Sequence, residues 1–214
     1  MGPDGARGLF ITVEGGEGSG KSTQGRRLAE RLRALGREVV ETREPGGTAG
    51  AEAVRRLLLD GTARRLGPHA ETALFAAARA DHVAHRIAPA LAAGHDVVCD
   101  RFMDSSRAYQ AGDPLLPHLE RAAVNGTLPD LTLIFDIDPE IGRERVRARD
   151  GALDRFEASD AAELTRRRDA FLAIAAAEPA RCAVIDAGRA RDEVAAEAWA
   201  RVAERLPAVA GIAA

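Results

Sequence analysis

Lysine and aromatic residues are scarce in this chain of 214 residues, and both shortages restrict its function. The 30 basic residues include a single lysine, Lys21, and all the others are arginine. Aromatic residues make up 4% of the chain, and the net charge is −3. A nucleic-acid-binding surface is usually basic, so neither value favours a nucleic-acid partner. The contents of 46% hydrophobic and 29% charged residues are instead typical of a globular protein.

Cysteine is also scarce, and long apolar runs are missing. Cys99 and Cys182 lie far apart, each in a short apolar stretch, so a disulfide is possible but reduced thiols are the simpler interpretation. The first apolar run is interrupted by Glu14, which argues against a secretory signal. No stretch is long and apolar enough to span a bilayer. We therefore expect a cytoplasmic protein without a membrane partner.

Short β-type runs alternate with helical stretches along most of the chain. Several of the β-type runs are continuous and rich in Val, Ile and Leu, as in parallel strands buried on both faces. Strands are predicted at 9–13, 38–42, 96–99, 131–137 and 183–185, and helices at 22–35, 51–59, 71–93, 139–148, 161–176 and 192–205. The alternation predicts a single α/β domain over residues 9–206, in which helices cover both faces of a parallel sheet. Residues 1–8 and 207–214 are expected to be flexible tails.

A glycine-rich run with the pattern G-x4-G-K-S follows the first predicted strand and precedes the first predicted helix. Glycine adopts backbone conformations closed to other residues, so the N–H groups of such a loop can surround a phosphate. The N-terminus of the following helix adds unpaired N–H groups and the positive end of its dipole. This P-loop predicts ATP contacts for Gly15, Gly16, Glu17, Gly18, Ser19, Gly20, Lys21, Ser22 and Thr23.

The single lysine limits the class of nucleotide-binding protein. Lys21 is expected to contact the β- and γ-phosphates, where the planar fork of an arginine needs more room than the loop leaves. A guanine-specific GTPase of the Ras kind needs another lysine for base recognition, and this chain has none. Motor and transport ATPases usually need a longer chain. A kinase of small molecules is therefore the favoured class.

A second motif supplies an acid and a base at the end of another predicted strand. Asp100 and Arg101 directly follow the apolar run 97–99. An acid at this edge of the sheet suits coordination of Mg²⁺, together with the hydroxyl of Ser22. Arg101 is expected to hold the phosphate of the acceptor through a bidentate pair. The sequence thus predicts Mg²⁺ as the cofactor, with Ser22 and Asp100 as its protein ligands.

Six segments, spread from about residue 9 to residue 205, make the chain similar to the bacterial thymidylate kinases. They are EGGEGSGKSTQ, TREPGGT at 42–48, LFAAARADH at 74–82, DRFMDSSRAYQ at 100–110, PDLTLIFDIDP at 129–139 and LDRFE at 153–157. The resemblance implies the nucleoside-monophosphate-kinase type of P-loop fold and a homodimer. It also implies that the chain transfers a phosphoryl group from ATP to dTMP.

The same resemblance implies a dTMP site. Phe75 corresponds to the ring that stacks on thymine, and Arg79 to the side chain that hydrogen-bonds the base. Tyr109 corresponds to the tyrosine that crowds the 2′ position and so favours deoxyribose. Glu17 corresponds to an acid on the acceptor side, and Arg43 to an arginine near the dTMP phosphate. The complete predicted set is Glu17, Arg43, Phe75, Arg79, Arg101, Ser106, Tyr109 and Gln110.

The resemblance further implies a mobile lid over ATP, within the arginine-rich stretch 143–155. Some thymidylate kinases carry a catalytic arginine in the P-loop, whereas positions 17–19 of this chain hold none. A positive charge beside the transferring group speeds phosphoryl transfer, so Arg149 and Arg155 are expected to supply it. The predicted catalytic residues are Lys21, Asp100, Arg149 and Arg155.

Several expectations concern residues around these motifs. Ala78 stands where many relatives carry aspartate, which puts a supporting contact to Arg79 in doubt. Arg143 and, less firmly, Arg145 are expected on a solvated helix face. Residues 186–189 are expected at the edge of the adenine. The five histidines share no metal-ligand spacing, and none is given a function.

Two alternatives to a dTMP kinase remain open at the level of sequence. One is another small-molecule kinase of the same fold, which acts for instance on a different nucleoside monophosphate. The other is a nucleotide-binding module without catalytic activity.

Overall fold

A single parallel sheet organises the protein. The computed structural model describes residues 7–148, 156 and 159–206. Within this part of the chain, five strands pair in the order β2-β3-β1-β4-β5. They are β1 (Phe10–Gly15), β2 (Val39–Arg43), β3 (Asp96–Asp100), β4 (Leu131–Asp136) and β5 (Cys182–Asp186). Because all are parallel, their carboxyl ends lie along one edge, where the predicted functional motifs begin.

Helices make the connections between successive strands. The one between β1 and β2 is α1 (Lys21–Ala34), and the one after β5 is α10 (Arg191–Arg205). Between β2 and β3 lie α2 (Ala49–Leu59), α3 (Thr62–Arg65), α4 (Pro68–His82), a π-helical segment (Val83–Ile87) and α5 (Ala88–Ala92). The remaining helices are α6 (Met103–Tyr109), α7 (Leu116–Val124), α8 (Pro139–Arg147) and α9 (Ala161–Ala177).

The central strand buries both of its faces. Ile11 and Val13 pack in one core cluster with Leu28 and Leu32 of α1 and with Val202 of α10. On the opposite face, a second cluster is made by Phe10, Val83, Ile87, Val97 and Phe102. Successive side chains of a strand point to opposite faces, so an unbroken apolar run serves two helical layers. The predicted α/β fold is confirmed.

The predicted element boundaries differ from the observed ones mainly between β2 and β3. The strands agree to within two residues, but the single helix predicted at 71–93 is wrong. It is divided into α4, the π-helical segment and α5, and Pro89 lies in the first turn of α5, where its missing N–H costs little. Helices α3, α6 and α7 were not predicted; α3 and α6, with four and seven residues, are too short for a clear 3.6-residue period.

Parts of the prediction fall outside the described residues. They include most of both predicted tails and the lid turn with Arg149 and Arg155. Among the residues that are described, no helix combines the length and the apolar character needed to cross a membrane.

Candidate active site

A cleft of about 750 Å³ opens at the edge formed by the carboxyl ends of the strands. One wall is the P-loop with the start of α1, and another is formed by side chains of α4 and α6. Four residues that follow β5 line it as well: Ala187, Arg189, Ala190 and Arg191. The cleft thus brings together four segments that are distant in the sequence.

The P-loop turns sharply and is tightly enclosed. Gly20 is the N-cap of α1 with φ 82°, and Gly18 has φ 74°. A Cβ atom on Gly18 would lie 2.1 Å from the carbonyl oxygen of Gly142, so this close approach to α8 requires glycine. The Lys21 Nζ donates to the carbonyl oxygen of Gly16 at 3.1 Å. The lysine is therefore folded back over the loop, as its predicted contact with phosphates requires.

The environment of Lys21 lowers its pKa. Its side chain is buried, and burial together with the nearby Arg101 lowers the pKa of Lys21 to about 8. The carboxylates of Asp100, Glu17 and Glu14 oppose this shift in part. A bound phosphate would favour the charged form of the lysine more strongly, because opposite charges attract in a buried site.

Ser22 and Asp100 meet as predicted, although 78 positions separate them. The Ser22 hydroxyl donates to Asp100 Oδ2. Asp100 Oδ1 is buried and has no hydrogen-bond partner among the described residues. A hydroxyl next to a carboxylate with one unsatisfied oxygen fits Mg²⁺, which prefers oxygen ligands and is usually shared with substrate phosphates.

Arg101 leads from β3 into α6 in a constrained backbone conformation. Its φ of 69° lies in the left-handed region, which is uncommon for a residue with a side chain. Its Nη1 donates to the carbonyl oxygen of Gly15 at 3.2 Å and to Ser105 Oγ at 3.1 Å, and its Nη2 approaches Glu17 Oε1 at 3.4 Å. The guanidinium is thereby fixed between the P-loop and α6, which suits the predicted contact with the acceptor phosphate.

Glu14 stabilises the turn between β3 and α6 through hydrogen bonds. It was not predicted as a site residue. Its Oε1 accepts from the backbone N–H of Phe102 at 2.7 Å and of Ser105 at 3.2 Å, and its Oε2 accepts from Ser105 Oγ at 2.6 Å. Burial, followed by repulsion from Asp104, raises the pKa of Glu14 to about 7. The one signal in the sequence is an acid at the end of an otherwise apolar strand.

Glu17 of the P-loop and Tyr109 of α6 meet in the cleft. The Tyr109 hydroxyl donates to Glu17 Oε1 at 2.5 Å. Burial opposes ionisation of Glu17, but attraction to Arg101 and Lys21 outweighs it and lowers the pKa of Glu17. Arg167 of α9, a further residue that was not predicted, has its guanidinium 4.4 Å from the Tyr109 ring centre and 3.8 Å from Glu17 Oε2. In the sequence, Arg167 is hidden in a run of three arginines that resembles a solvated helix face.

Arg79 is the most firmly held of the predicted base-binding residues. Its side chain is 3% exposed, and its Nε donates to Glu44 Oε2 at 2.8 Å. Its Nη1 donates to Ser106 Oγ at 3.0 Å, and its Nη2 to the carbonyl oxygen of Phe102 at 2.9 Å. The doubt raised by Ala78 is therefore wrong, because Glu44 supplies the supporting carboxylate from another element.

Phe75 and Gln110 complete the predicted wall of the cleft. Phe75 lies on α4, and its ring centre is 6.2 Å from that of Phe156. Gln110 follows α6, and its Oε1 is buried without a hydrogen-bond partner among the described residues. An unsatisfied buried amide oxygen beside a cleft is available to a donor on a ligand.

Arg43 and Arg145 make contacts that were not predicted. Arg43 is half-exposed, does not line the cleft and pairs with Glu52 at 2.8 Å, because it ends its strand facing α2. Arg55 of α2 lines the cleft instead, and its Nη1 donates to the carbonyl oxygen of Pro45 at 2.7 Å. Arg145 is exposed, as expected of a solvated face, but its Nη1 also donates to the carbonyl oxygen of Ala187 at 2.9 Å, at the border of the cleft.

Other predicted residues keep their expected surroundings or cannot be placed. Arg143 pairs with Glu140 on the outer face of α8, in agreement with a solvated face. Cys99 and Cys182 are buried free thiols, so the disulfide alternative does not apply. Arg149 and Arg155 lie outside the described residues.

Comparison with known proteins identifies the family. Residues 13–198 match the family model described as thymidylate kinase. The chain belongs to the thymidylate kinase family. A thymidylate kinase from Nitrobacter winogradskyi is 54% identical over 209 residues, which cover 94% of this chain and 91% of that protein. One from Nitrobacter hamburgensis is 54% identical over 207 residues, covering 94% and 90%.

A solved structure agrees with this thymidylate kinase in fold. The crystal structure of thymidylate kinase from Ehrlichia chaffeensis is 35% identical, with a TM-score of 0.72. The match covers 92% of this chain and 99% of that one. The prediction of an α/β P-loop enzyme of the thymidylate kinase family is confirmed.

Proposed function

We propose that this thymidylate kinase transfers the γ-phosphoryl group of Mg-ATP to dTMP, which gives ADP and dTDP. The observation that carries the proposal is the shared cleft. Its lining includes the P-loop residues Lys21 and Ser22, and also Phe75, Arg79 and Tyr109. A donor end and an acceptor end in one cavity suit direct transfer between two nucleotides, because the reacting groups are held together.

The donor end is built for a triphosphate. The P-loop N–H groups and the Lys21 ammonium would contact the phosphates, as the dipole of α1 favours negative charge at its N-terminus. Ser22 and Asp100 would hold Mg²⁺, given their contact and the unsatisfied Asp100 Oδ1. When bound, the ion would supply positive charge that offsets the negative charge developing during phosphoryl transfer. Residues 186–189 are assigned to the adenine edge, and two of them, Ala187 and Arg189, line the cleft.

The acceptor end offers one side chain for each part of dTMP. The Phe75 ring is assigned to stack on thymine, and the Arg79 guanidinium to donate to a carbonyl oxygen of the base. Because Arg79 is already paired with Glu44, it suits a neutral carbonyl better than an anion. Arg101, which is held between the P-loop and α6, supplies a further positive charge and is assigned to the acceptor phosphate.

The reaction needs no covalent intermediate on the protein. An oxygen of the dTMP phosphate attacks the γ-phosphorus, a new P–O bond forms, and the bond from phosphorus to the β–γ bridging oxygen breaks as ADP departs. The chain contributes positioning and positive charge. Lys21 is assigned to this charge, together with Arg149 and Arg155 of the lid, in keeping with the family resemblance.

We also propose a homodimer that works in the cytoplasm. The dimer rests on the family resemblance, and the compartment on two buried thiols that remain unpaired. Light scattering on the purified protein tests the dimer, since a monomer's mass would contradict it.

An assay of ADP release across dTMP, dUMP, dCMP, AMP and GMP tests the function. We expect turnover to be fastest with dTMP, and to depend on both ATP and Mg²⁺. A clear preference for another monophosphate would favour the alternative kinase of the same fold. Nucleotide binding without ADP release from any acceptor would indicate a catalytically inactive module.

A further inference from the structure

A network of hydrogen-bonded polar side chains supports Arg79. Its members come from three segments of the protein. His82 ends α4, Thr42 lies in β2, and Glu44 follows β2. The His82 Nδ1 lies 3.0 Å from Glu44 Oε1, and its Nε2 lies 2.6 Å from Thr42 Oγ1. The other oxygen of Glu44 accepts from Arg79. The network therefore connects Thr42 to Arg79 continuously, through His82 and Glu44.

Water has almost no access to three members of this network, whereas Thr42 is partly buried. The side chain of His82 is 0% exposed, that of Glu44 5%, and that of Arg79 3%. A buried carboxylate is costly unless its oxygens accept hydrogen bonds, and here one oxygen faces Arg79 and the other faces His82. Since a carboxylate only accepts, the His82 Nδ1 carries the hydrogen in their contact.

The geometry leaves the imidazole ring little freedom. A Cβ atom on Gly47 would lie 2.5 Å from His82 Nε2, so the backbone of that residue packs directly against the ring. Both ring nitrogens are engaged, one by Glu44 and one by Thr42. A fixed ring fixes the carboxylate plane of Glu44, and the carboxylate in turn sets the direction of the Arg79 Nε–H bond.

The direction of Arg79 matters because few of its donors remain for a ligand. An arginine side chain has five N–H donors. The described contacts use three, toward Glu44, Ser106 and the carbonyl oxygen of Phe102. The two others are the ones available to a base in the cleft that Arg79 lines. A small rotation of the guanidinium would misdirect both, because hydrogen bonds weaken steeply away from linearity.

We propose that His82 is a positioning residue for recognition of the thymine base, and that it acts through Glu44 on Arg79. This inference rests on the proposed function, because it takes Arg79 to be the base-binding arginine. The hydrogen-bond partners of His82 in the described part of the chain are Glu44 and Thr42, and neither is assigned to the donor end, so we expect its effect to be confined to the acceptor. Loss of the imidazole leaves one Glu44 oxygen unsatisfied and lets the Glu44–Arg79 pair rotate.

The test compares three replacements of His82 in the full-length enzyme. His82→Leu removes both nitrogens, whereas His82→Asn can still place an N–H donor near the position of Nδ1. We expect His82→Leu to raise the KM for dTMP about tenfold, the loss that corresponds to one buried hydrogen bond. The KM for ATP should not change. His82→Asn should recover most of the dTMP affinity, and His82→Gln, which places its donor near Nε2, should recover less.

A double-mutant cycle separates positioning from simple packing. Binding of dTMP is measured by calorimetry for His82→Leu, for Arg79→Gln and for the double variant. If His82 acts through Arg79, the leucine has little further effect once the arginine is gone. If His82 only contributes packing, His82→Leu should instead weaken dTMP binding equally in the wild type and in the Arg79→Gln variant. His85→Asn is the matched control, because His85 is exposed on the next turn and its Nδ1 contacts the carbonyl oxygen of Asp81.

Two outcomes would overturn the proposal. One is a folded His82→Leu enzyme whose KM for dTMP stays within about twofold of the wild type, a difference below that of one hydrogen bond. The other is full additivity in the cycle. If His82→Leu fails to fold, Glu44→Gln carries the same test, since its amide cannot accept from both neighbours. Failure of the proposed function would be distinct, because the wild-type enzyme itself would then not phosphorylate dTMP.

Discussion

Tyr109 donates a hydrogen bond to Glu17 over 2.5 Å, and this contact joins the P-loop to α6 at the proposed acceptor end of the cleft. The guanidinium groups of Arg101 and Arg167 lie 5.1 and 4.4 Å from the centre of the Tyr109 ring. Burial raises the pKa of Tyr109 far above its ordinary value, so the hydroxyl stays protonated and remains a donor. Two guanidinium groups and the bond to Glu17 therefore hold the ring in place, which suits a side chain assigned to exclude a 2′-hydroxyl.

Replacement of Tyr109 by alanine should relax discrimination between deoxyribose and ribose. We expect the preference for dTMP over ribothymidine monophosphate to fall about tenfold or more, as an emptied pocket admits the extra hydroxyl. The ratio of kcat/KM for the two acceptors measures it. Tyr109→Phe is the control, because it keeps the ring and loses the bond to Glu17. A Tyr109→Ala enzyme as selective as the wild type would remove the role assigned to the ring.

Lys21→Arg should lower kcat about a hundredfold or more, although the charge is kept. The planar guanidinium is larger than an ammonium, and the buried lysine begins α1 directly after a loop that packs closely against α8. Steady-state kinetics with saturating ATP and dTMP provide the measurement. The exposed Arg26→Lys in the same helix is the control and should be unchanged. Near-normal turnover of Lys21→Arg would contradict the requirement for a compact charge.

Asp100→Asn should raise the Mg²⁺ concentration needed for half-maximal activity, by about ten- to a hundredfold. The amide keeps the shape of the carboxylate and its contact with Ser22, but it loses the negative charge. Titration with Mg²⁺ at saturating ATP and dTMP measures the shift, and a chelator should abolish activity in both enzymes. An identical Mg²⁺ response in mutant and wild type would exclude Asp100 from the metal site.

Arg155→Ala should reduce kcat by about a thousandfold, with little change in the dissociation constant of dTMP, and Arg149→Ala should do so less strongly. This pattern is expected of a charge that acts mainly in the transition state. Arg143→Ala is the control, since Arg143 pairs with Glu140 outside the cleft. A raised KM with normal kcat would instead assign the lid arginines to substrate binding.

Glu14 should make the stability of the enzyme depend on pH. Its pKa is raised from 4.5 to about 7, so the folded state binds this proton more tightly than the unfolded state. The resulting stabilisation is complete below about pH 4.5 and is lost as the pH rises through 7, a change of up to ~3 kcal/mol in the free energy of unfolding. Glu14→Gln removes this contribution. Urea unfolding at a series of pH values between 5 and 8 tests this prediction. If the free energy of unfolding changes equally with pH in the wild type and in Glu14→Gln, the assignment is contradicted.

The main fold features and the donor end could be predicted from the sequence because their signals are local. Apolar runs of strand length reveal strands buried on both faces, and the order of strand, glycine-rich loop and helix reveals the P-loop. Ser22 and Asp100 could be paired across 78 positions, since both follow strands whose carboxyl ends share one edge of a parallel sheet. For these features, element order determines the geometry.

The supports of the acceptor end were decided by tertiary structure. Nothing near Arg79 in the sequence indicates that Glu44 and His82 hold it, because their contacts exist only after α4 packs against the end of β2. Likewise, motif position alone cannot tell that Arg43 faces Glu52 while Arg55 enters the cleft. A long side chain at the end of an element can point in several directions, and the choice depends on the packing and charge of neighbouring elements. The sequence by itself therefore determined which elements form and in what order, whereas packing decided which arginines reach the cleft.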